Sequence, residues 1–240
     1  MLNAVLAPRS IAVIGASRSP ATIGWQILDN LLRHGFTGAV HPVNPGAESV
    51  HSIRAFPSVE AIPGEVELAV IVVPKQHVCA VAEACGRKGV KALVVISAGF
   101  REVRGEGVAR EEALKEVARR YGMRVVGPNC MGVLNTAPEV SMNATFAPTM
   151  PPPGPVAFMS QSGAMGVTIL DYAAEYGIGI SQFVSVGNKA DVSGNDLIRH
   201  WAADRATRVI LMYLENFGNP RTFTRLAREI TRTKPIIVVK

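Results

Sequence analysis

The chain has 240 residues, 48% of them hydrophobic and 18% charged, which is typical of a well-packed globular protein with one large or two medium domains. Its formal charge is +6, and the basic residues are scattered without interleaved aromatic residues, which argues against nucleic-acid binding. No run of about eighteen apolar residues occurs, and residues 1–9 lack a signal-peptide pattern, so we expect no membrane span. Three cysteines and five histidines without metal-ligand spacing predict a reduced, cytoplasmic setting and no metal site.

The hydrophobic pattern alternates between strands and helices along the whole chain. In its first part, strands are predicted at 10–14, 40–43, 68–73, 92–96 and 124–126, and helices at 23–33, 76–88 and 108–121. In its second part, strands are predicted at 156–159, 180–186, 208–214 and 235–239, and helices at 163–176, 196–204 and 221–231. Continuous apolar strands alternating with helices predict an α/β protein with parallel sheets, whose ligands bind beyond the carboxyl ends of the strands.

A proline-rich stretch separates the two parts. Five of the eight residues at 148–155 are proline, which predicts a stiff linker. We therefore expect one domain over residues 1–148 and a second over residues 149–240.

Two predicted strand-to-helix turns could hold an anion, because the first backbone N–H groups of a helix are unpaired and its dipole favours negative charge. One runs from Gly15 to Gly24, where Ser17 and Thr22 add hydroxyl groups. The other is Ser160–Gly166, just before the helix predicted in the second domain. For the turn at Gly15–Gly24, the alternative is an ordinary strand-to-helix turn that needs glycine only for its backbone geometry.

Other strand ends carry small or polar residues. Asn44 and Pro45 follow the second strand, where dinucleotide-binding proteins place an acid on the ribose, so an NAD-dependent dehydrogenase is disfavoured. The segments Val73–Lys75 and Ser97–Gly99 could lie against a flat ring or a pantetheine-like arm. Lys75 could meet a phosphate or simply be exposed.

Three polar residues at later strand ends are candidates for chemistry. Asn129 could orient a carbonyl or an amide group. Cys130 could be a nucleophile, but no histidine can be assigned to it, and a lone cysteine is more often a small buried hydrophobe. Glu215 ends an apolar strand and either holds a cationic or imidazole group or is an exposed strand end.

Six motifs in order along the chain resemble the CoA-binding portion of the NDP-forming acyl-CoA synthetases, such as ADP-forming acetate–CoA ligase α and succinate–CoA ligase α. The N-terminal region of fused bacterial protein lysine acetyltransferases is also similar. The motifs are Ser10–Ser17, His41–Pro45, Gly127–Gly132, Ser160–Ala164, Val186–Asp191 and Tyr213–Glu215. The resemblance implies a Rossmann-like CoA-binding domain followed by a flavodoxin-like domain.

The resemblance also implies roles for individual residues. Asn129 would lie near the CoA thiol, the turn at Ser162, Gly163 and Ala164 would hold a phosphohistidine, and Glu215 would steady it. The small carboxylic acid would bind near Gly187 and Asn188. The residues expected to line the CoA site are Gly15, Ala16, Ser17, Arg18, Asn44, Pro45, Val73, Pro74, Lys75, Ser97, Ala98 and Gly99.

The implied reaction converts a carboxylate, ATP and CoA to acyl-CoA, ADP and phosphate. In the family, the phosphorylated histidine follows the strand predicted here at 235–239, and an ATP-grasp β subunit or fused domain binds ATP and Mg. We therefore expect this chain to bind CoA, to lack the phosphorylated histidine and to be inactive alone. The alternative is a non-catalytic region of an acetyltransferase that senses CoA or acyl-CoA.

Overall fold

The computed structural model describes residues 2–240, and its elements follow the predicted alternation of strands and helices. In the first part of the chain they are α1 (Asn3–Leu6), β1 (Ser10–Ile14), α2 (Ile23–Arg33), β2 (Ala39–Val43), β3 (Ser49–Val50), β4 (Ile53–Arg54), β5 (Leu68–Ile71), α3 (Val78–Lys88), β6 (Ala92–Val95), α4 (Glu106–Tyr121) and β7 (Arg124–Val126). In the second part they are β8 (Gly132–Asn135), β9 (Met142–Thr145), β10 (Pro153–Ser160), α5 (Gly163–Glu175), β11 (Ile180–Ser185), α6 (Gly194–Ala203), β12 (Val209–Tyr213), α7 (Pro220–Ile230) and β13 (Ile236–Val239).

The first sheet has five parallel strands in the order β2-β1-β5-β6-β7. β1, β5 and β6 are buried along their whole length, with hydrophobic clusters on both faces of the sheet. The strand order reverses between β1 and β5, so the loops that follow these two strands diverge and leave a crevice between them. The predicted Rossmann-like α/β fold is confirmed for this part of the chain.

The second sheet has six strands in the order β13-β12-β10-β11-β8-β9. Strands β10 to β13 are parallel, as predicted, and the order reverses between β10 and β12. The hairpin β8–β9 was not predicted, and it adds two antiparallel strands at the edge next to β11. Its buried polar residues, including Asn135, Asn143 and Thr145, hide the apolar pattern that would otherwise mark these strands.

The sheet pairing changes between β7 and β8, before the proline-rich stretch. Residues 132–145 pair with the second sheet although they precede the boundary predicted between residues 148 and 149. The prolines lead instead into β10, which extends over Pro153–Ser160. The boundary at 148 therefore stays a prediction, and hydrogen bonding places the hairpin with the second sheet.

The two sheets are joined by main-chain hydrogen bonds between residues 125–128 and 188–192. Backbone N–H groups of Asn188, Ala190 and Val192 donate to the carbonyls of Pro128, Gly127 and Val125 at 2.9–3.0 Å. The side chain of Arg124 adds an ion pair with Asp191 at 2.8 Å. Because the linkage runs through the backbone, the loops after β7 and β11 are fixed against each other.

Candidate functional site

The first cavity lies in the crevice between β1 and β5, where the strand order reverses, and has a volume of about 600 Å³. Seven of the twelve residues predicted to bind CoA line it: Gly15, Ala16, Ser17, Asn44, Pro45, Val73 and Pro74. Apolar residues of α3, including Val81 and Ala84, form the opposite wall. The cavity therefore offers an apolar surface for a flat ring next to the backbone of a strand-to-helix turn.

Close backbone packing shapes the turn after β1. Gly15 has a φ of +97°, and a Cβ there would lie 3.0 Å from the carbonyl oxygen of Val72. A Cβ on Gly24 would overlap the carbonyl oxygen of Gly15, so α2 can begin this close to β1 only with glycine. Thr22 caps the helix, because its hydroxyl accepts a hydrogen bond from the N–H of Trp25 at 3.4 Å.

The side chain of Asn44 stabilises the turn after β1 by hydrogen bonds. Its Nδ2 donates to the carbonyl of Ala16 at 2.7 Å, and its Oδ1 accepts from the N–H of Gly46 at 2.8 Å. Both ends of the amide are therefore engaged by the protein, and the residue acts on the cavity by holding the turn.

The second cavity, of about 680 Å³, lies where the carboxyl ends of the two sheets meet. It shares the wall formed by Val72, Val73 and Pro74 with the first cavity. The structure thus brings residues predicted for CoA binding and residues predicted for chemistry into one cavity. The predicted residues that line it are Val73, Pro74, Lys75, Ser97, Ala98, Asn129, Ser162, Gly163 and Glu215.

The amino end of α5 forms one side of the second cavity. The Oγ of Ser162 caps the helix by accepting from the N–H of Met165 at 3.3 Å, and Ser160 Oγ accepts from the N–H of Ser162 at 3.2 Å. No atom lies within 4 Å of the point where a Cβ of Gly163 would be. Because the first N–H groups of a helix lack intrahelical partners, this open space can receive an anion.

Glu215 follows the end of β12, and the amino end of α5 follows the end of β10. The strand order of the second sheet reverses between these two strands. Gln161 Oε1 accepts hydrogen bonds from the N–H groups of Glu215 at 2.9 Å and Asn216 at 3.0 Å. Lys189 Nζ donates to the Oδ1 of Asn216 at 2.7 Å and to its carbonyl oxygen at 3.0 Å. Burial lowers the pKa of Lys189, and the negative charge of Glu215 opposes this shift.

Asn129 and Cys130 follow β7 at the base of the second cavity. Asn129 is exposed and adopts a φ of +56°, and its backbone N–H donates to the carbonyl of Ser97 at 3.0 Å. Cys130 Sγ lies 3.2 Å from the carbonyl oxygen of Val95, and burial raises the pKa of its thiol to about 12. The thiolate is therefore disfavoured at neutral pH, and the interpretation of Cys130 as a small buried residue is confirmed.

Five predicted site residues line neither cavity: Arg18, Gly99, Ala164, Gly187 and Asn188. Asn188 Nδ2 donates to Glu102 at 2.6 Å and to Glu111 at 2.9 Å, so its amide ties the second domain to the first. A Cβ on Gly187 would overlap the backbone of Asn129, so that glycine supports the loop beneath the cavity. The carboxylic-acid pocket predicted near Gly187 and Asn188 gains no support from this placement.

Several residues around the cavities have no predicted role. Gln161 lies inside the Ser160–Ala164 motif, yet the sequence alone gives no sign that its side chain reaches the next strand. Ile23, Met131 and Phe146 add apolar surface to the second cavity. Phe146 follows the unpredicted strand β9, so its position depends on a hairpin that the hydrophobic pattern does not reveal.

Within residues 2–240, no group of three or more His, Cys, Asp or Glu side chains is arranged to hold a metal ion. Over the same residues, no helix combines the length and the apolar character that crossing a membrane requires.

Two protein families match the chain. The family described as "CoA binding domain" matches residues 9–136, and "Succinyl-CoA ligase like flavodoxin domain" matches residues 153–240. The first match covers more than half of the chain and contains the first cavity. The second contains α5 and Glu215.

Curated relatives and solved structures give the same result. The chain is 46% identical over 243 residues to acetate–CoA ligase [ADP-forming] I subunit alpha of Pyrococcus furiosus, covering 100% of this chain and 52% of the relative. It is 42% identical to 4-hydroxybutyrate–CoA ligase [ADP-forming] of Nitrosopumilus maritimus, covering 98% of this chain and 34% of that protein. The structure of the dinucleotide-forming acetyl-coenzyme A synthetase 1 of Candidatus Korarchaeum cryptofilum, in complex with phosphate and ADP, is 46% identical, with a TM-score of 0.95 over 100% of this chain and 51% of that one.

The chain thus spans about half the length of the curated α subunits that it matches. Both halves of its fold have a counterpart among known families, in the predicted order. The chain belongs to the CoA binding domain family, and it joins that domain to a succinyl-CoA ligase like flavodoxin domain as in its ADP-forming acetate–CoA ligase relatives.

Proposed function

We propose that residues 1–240 form the CoA-binding part of an ADP-forming acyl-CoA synthetase, an acid–thiol ligase that makes acyl-CoA, ADP and phosphate from a carboxylate, ATP and CoA. One observation carries this proposal. The second cavity places Lys75, Ser97 and Asn129 of the first domain opposite the amino end of α5 and Glu215. The relatives, whose names specify ADP-forming ligation to CoA, support it.

The residues of the first cavity fit CoA. Its apolar walls, with Val81 and Ala84 on α3, suit an adenine ring, and the backbone of Gly15–Ser17 would face the pyrophosphate. The wall at Val73 and Pro74, common to both cavities, would guide the pantetheine arm towards Asn129. Bound CoA supplies the thiol nucleophile.

The second cavity fits a phosphoryl group. The amino end of α5 would stabilise its negative charge, and Glu215 would orient a histidine that carries it. We propose that this histidine lies outside residues 1–240 and that an ATP-grasp partner or fused domain binds ATP and Mg. We further propose that the protein acts in the cytoplasm, for which its three free cysteines are the support.

Isothermal titration calorimetry with CoA and with ATP tests the proposal. We expect CoA to bind residues 1–240 and ATP to give no heat of binding. Ala80→Trp fills the first cavity from its exposed rim on α3 and should weaken CoA binding about tenfold or more. The matched control, Ala113→Trp on the exposed face of α4, should leave CoA binding unchanged. Tight binding of ATP, or equal effects of the two variants, would refute the proposal.

A further inference from the structure

Four arginines form a row along the exposed side of α7 and the turn after it. Arg221, Arg225, Arg228 and Arg232 are separated by four, three and four residues, so they share one face of the helix. A surface groove of about 670 Å³ lies between their side chains. We call these four residues the arginine stripe.

The arginine stripe has no ion pair within residues 2–240, whereas basic residues on other helices do. On α4, Arg119 pairs with Glu116 at 3.2 Å and Lys115 pairs with Glu112 at 3.0 Å. The acid on α7, Glu229, forms no ion pair with the stripe in the described part of the chain. The four positive charges of the stripe therefore outnumber the one acid on α7, and like charges three or four residues apart destabilise a helix.

The arginine stripe also interacts unfavourably with the dipole of α7 at the amino end of the helix. Arg221 lies in the first turn of α7, which contains no acidic residue, although negative charge is favoured at that end. The helix is held by its opposite face, where Leu226 and Ile230 are buried and Phe223 packs on Phe217 at 4.6 Å between ring centroids. Packing thus explains why α7 folds but does not explain the row of arginines.

We propose that the arginine stripe is a docking surface for a carboxylate-rich segment of a partner protein. All four residues are arginine, whose planar guanidinium group forms paired hydrogen bonds with carboxylates. The twelve residues from Arg221 to Arg232 span about 16 Å at the helical rise, which matches roughly three turns of an acidic helix. Such a partner would neutralise the repulsion along α7.

One observation favours a protein over a nucleic acid. The exposed large apolar residues of the described chain include none from α6 or α7, so this face offers no exposed aromatic ring for base stacking. Arg221 also lies six residues after Glu215, so a partner docked on the stripe would sit beside the loop that leads into the second cavity.

Fluorescence anisotropy with a labelled poly-glutamate peptide of about twelve residues tests this proposal on residues 1–240. The peptide should bind at about 0.05 M salt and lose most of its binding at about 0.3 M, because exposed charge pairs are screened. The double variant Arg225→Glu with Arg228→Glu should weaken binding about tenfold or more, because each substitution replaces attraction to a glutamate of the peptide by repulsion.

The matched control is Arg119→Glu with Arg120→Glu, which changes the net charge equally at arginines that already pair with Glu116 and Glu83. It should change peptide binding less than about twofold, with thermal unfolding confirming that both variants fold. Equal loss in both variants, or no peptide binding, would overturn the proposal. Tighter binding of a labelled oligothymidine or of inorganic polyphosphate through Arg225 and Arg228 would assign the stripe to those polyanions and overturn it as well.

Discussion

The side chain of Gln161 holds the backbone of Glu215 in place. Its Oε1 accepts the N–H of Glu215 at 2.9 Å and that of Asn216 at 3.0 Å, while its own N–H donates to the carbonyl of Tyr213 at 3.0 Å. Because Gln161 directly precedes Ser162, the cap of α5, one residue connects the amino end of that helix to the strand end that carries the carboxylate. The side-chain amide of Gln161 therefore links the turn at Ser162 to Glu215, beside the backbone pairing of β10 with β12.

Replacement of Gln161 should loosen this loop. Gln161→Leu removes an oxygen that accepts two hydrogen bonds, and each hydrogen bond contributes about 1 kcal/mol. Amide exchange at Glu215 and Asn216 should therefore become roughly tenfold faster. Gln161→Glu keeps an acceptor oxygen and should preserve most of the protection. Hydrogen exchange followed by NMR measures both variants. Unchanged exchange in Gln161→Leu would show that the backbone of the loop is held by other contacts.

Two glycines of α5 should respond in opposite ways to alanine. Gly163→Ala has open space and should stabilise the fold by up to about 1 kcal/mol, because alanine loses less backbone entropy in a helix. A Cβ on Gly166 would lie 2.8 Å from the Sδ of Met131 and 3.0 Å from Cζ of Phe183, so Gly166→Ala should destabilise by about 1–3 kcal/mol. Thermal unfolding compares the two variants.

The Gly163→Ala variant also tests whether the amino end of α5 binds an anion. Its methyl group would occupy part of the open space at the amino end of α5, so binding of inorganic phosphate should weaken although the fold is more stable. Phosphorus NMR titration of the wild type and of Gly163→Ala measures this difference. If the variant bound phosphate as well as the wild type, the anion would have to be bound elsewhere.

Asn188→Asp should weaken the junction between the two domains. The amide of Asn188 donates to Glu102 at 2.6 Å and to Glu111 at 2.9 Å, and Glu111 is only 2% exposed. A third carboxylate there would replace two hydrogen bonds by repulsion, and we expect a loss of about 3–5 kcal/mol at pH 7. Urea unfolding at several pH values measures it.

The loss of stability in Asn188→Asp should depend on pH. In Asn188→Asp, the repelling carboxylates bind a proton more tightly in the folded than in the unfolded state. The excess negative charge is neutralised when a proton binds, so the stability deficit should shrink as the pH falls from 7 towards about 4. Asn188→Ala, which removes the donor without adding charge, is the control. A deficit in Asn188→Asp that did not change with pH would contradict the electrostatic explanation.

Asp196 should contribute stability that disappears in acid. Its Oδ2 accepts from the Oγ of Ser193 at 2.6 Å and from the Ser193 N–H at 3.0 Å, and its Oδ1 lies 3.3 Å from Arg124. Burial alone would raise the pKa of Asp196, but the hydrogen bonds from Ser193 and the charge of Arg124 outweigh it and lower the pKa. Because the pKa is lowered, the ionised carboxylate stabilises the fold at pH values above its unfolded-state pKa of about 3.9. This stabilisation is lost as the pH falls through the folded-state pKa.

Asp196→Asn should therefore cost about 1–2 kcal/mol at pH 7 and less near pH 3, since the wild type loses this contribution as the pH falls through the lowered pKa of Asp196. Urea unfolding at both pH values measures the change. Glu229→Gln is the control, because that exposed acid forms no ion pair in the described part of the chain. An equal cost of Asp196→Asn at both pH values would mean that the variant loses hydrogen bonds to Ser193 and that the charge of the carboxylate contributes little.

The predictions from sequence were most successful where one segment contains all the information. Continuous apolar runs predicted β1, β5 and β6, which are buried along their length, and helical spacing predicted α2. The turn at Ser162 was predicted from the chemistry of its own residues, and Ser162 does cap α5. Such features depend on neighbours in the chain, so a single sequence reveals them.

Features that depend on distant pairing were missed. The hairpin β8–β9 is buried through polar residues whose partners lie far away, as when Asn135 Nδ2 donates to the carbonyl of Leu6 at 2.7 Å. The substrate pocket at Asn188 stays a prediction, and nothing in the sequence indicated the hydrogen bonds of Asn188 to Glu102 and Glu111 in the other domain. Neither relation leaves a local pattern in the sequence.

The sequence by itself determined most of the alternation of strands and helices, apart from the hairpin β8–β9, and the positions of the two glycine-containing strand-to-helix turns. Backbone conformation and helix capping follow from residues close together in the chain. Only the tertiary structure decided that both turns open into adjoining cavities with Val73 and Pro74 as a common wall, and that Glu215 lines the same cavity as the amino end of α5. The physical reason is that strand order is set by the packing of side chains far apart in the sequence. The position of a cavity depends on where that order reverses.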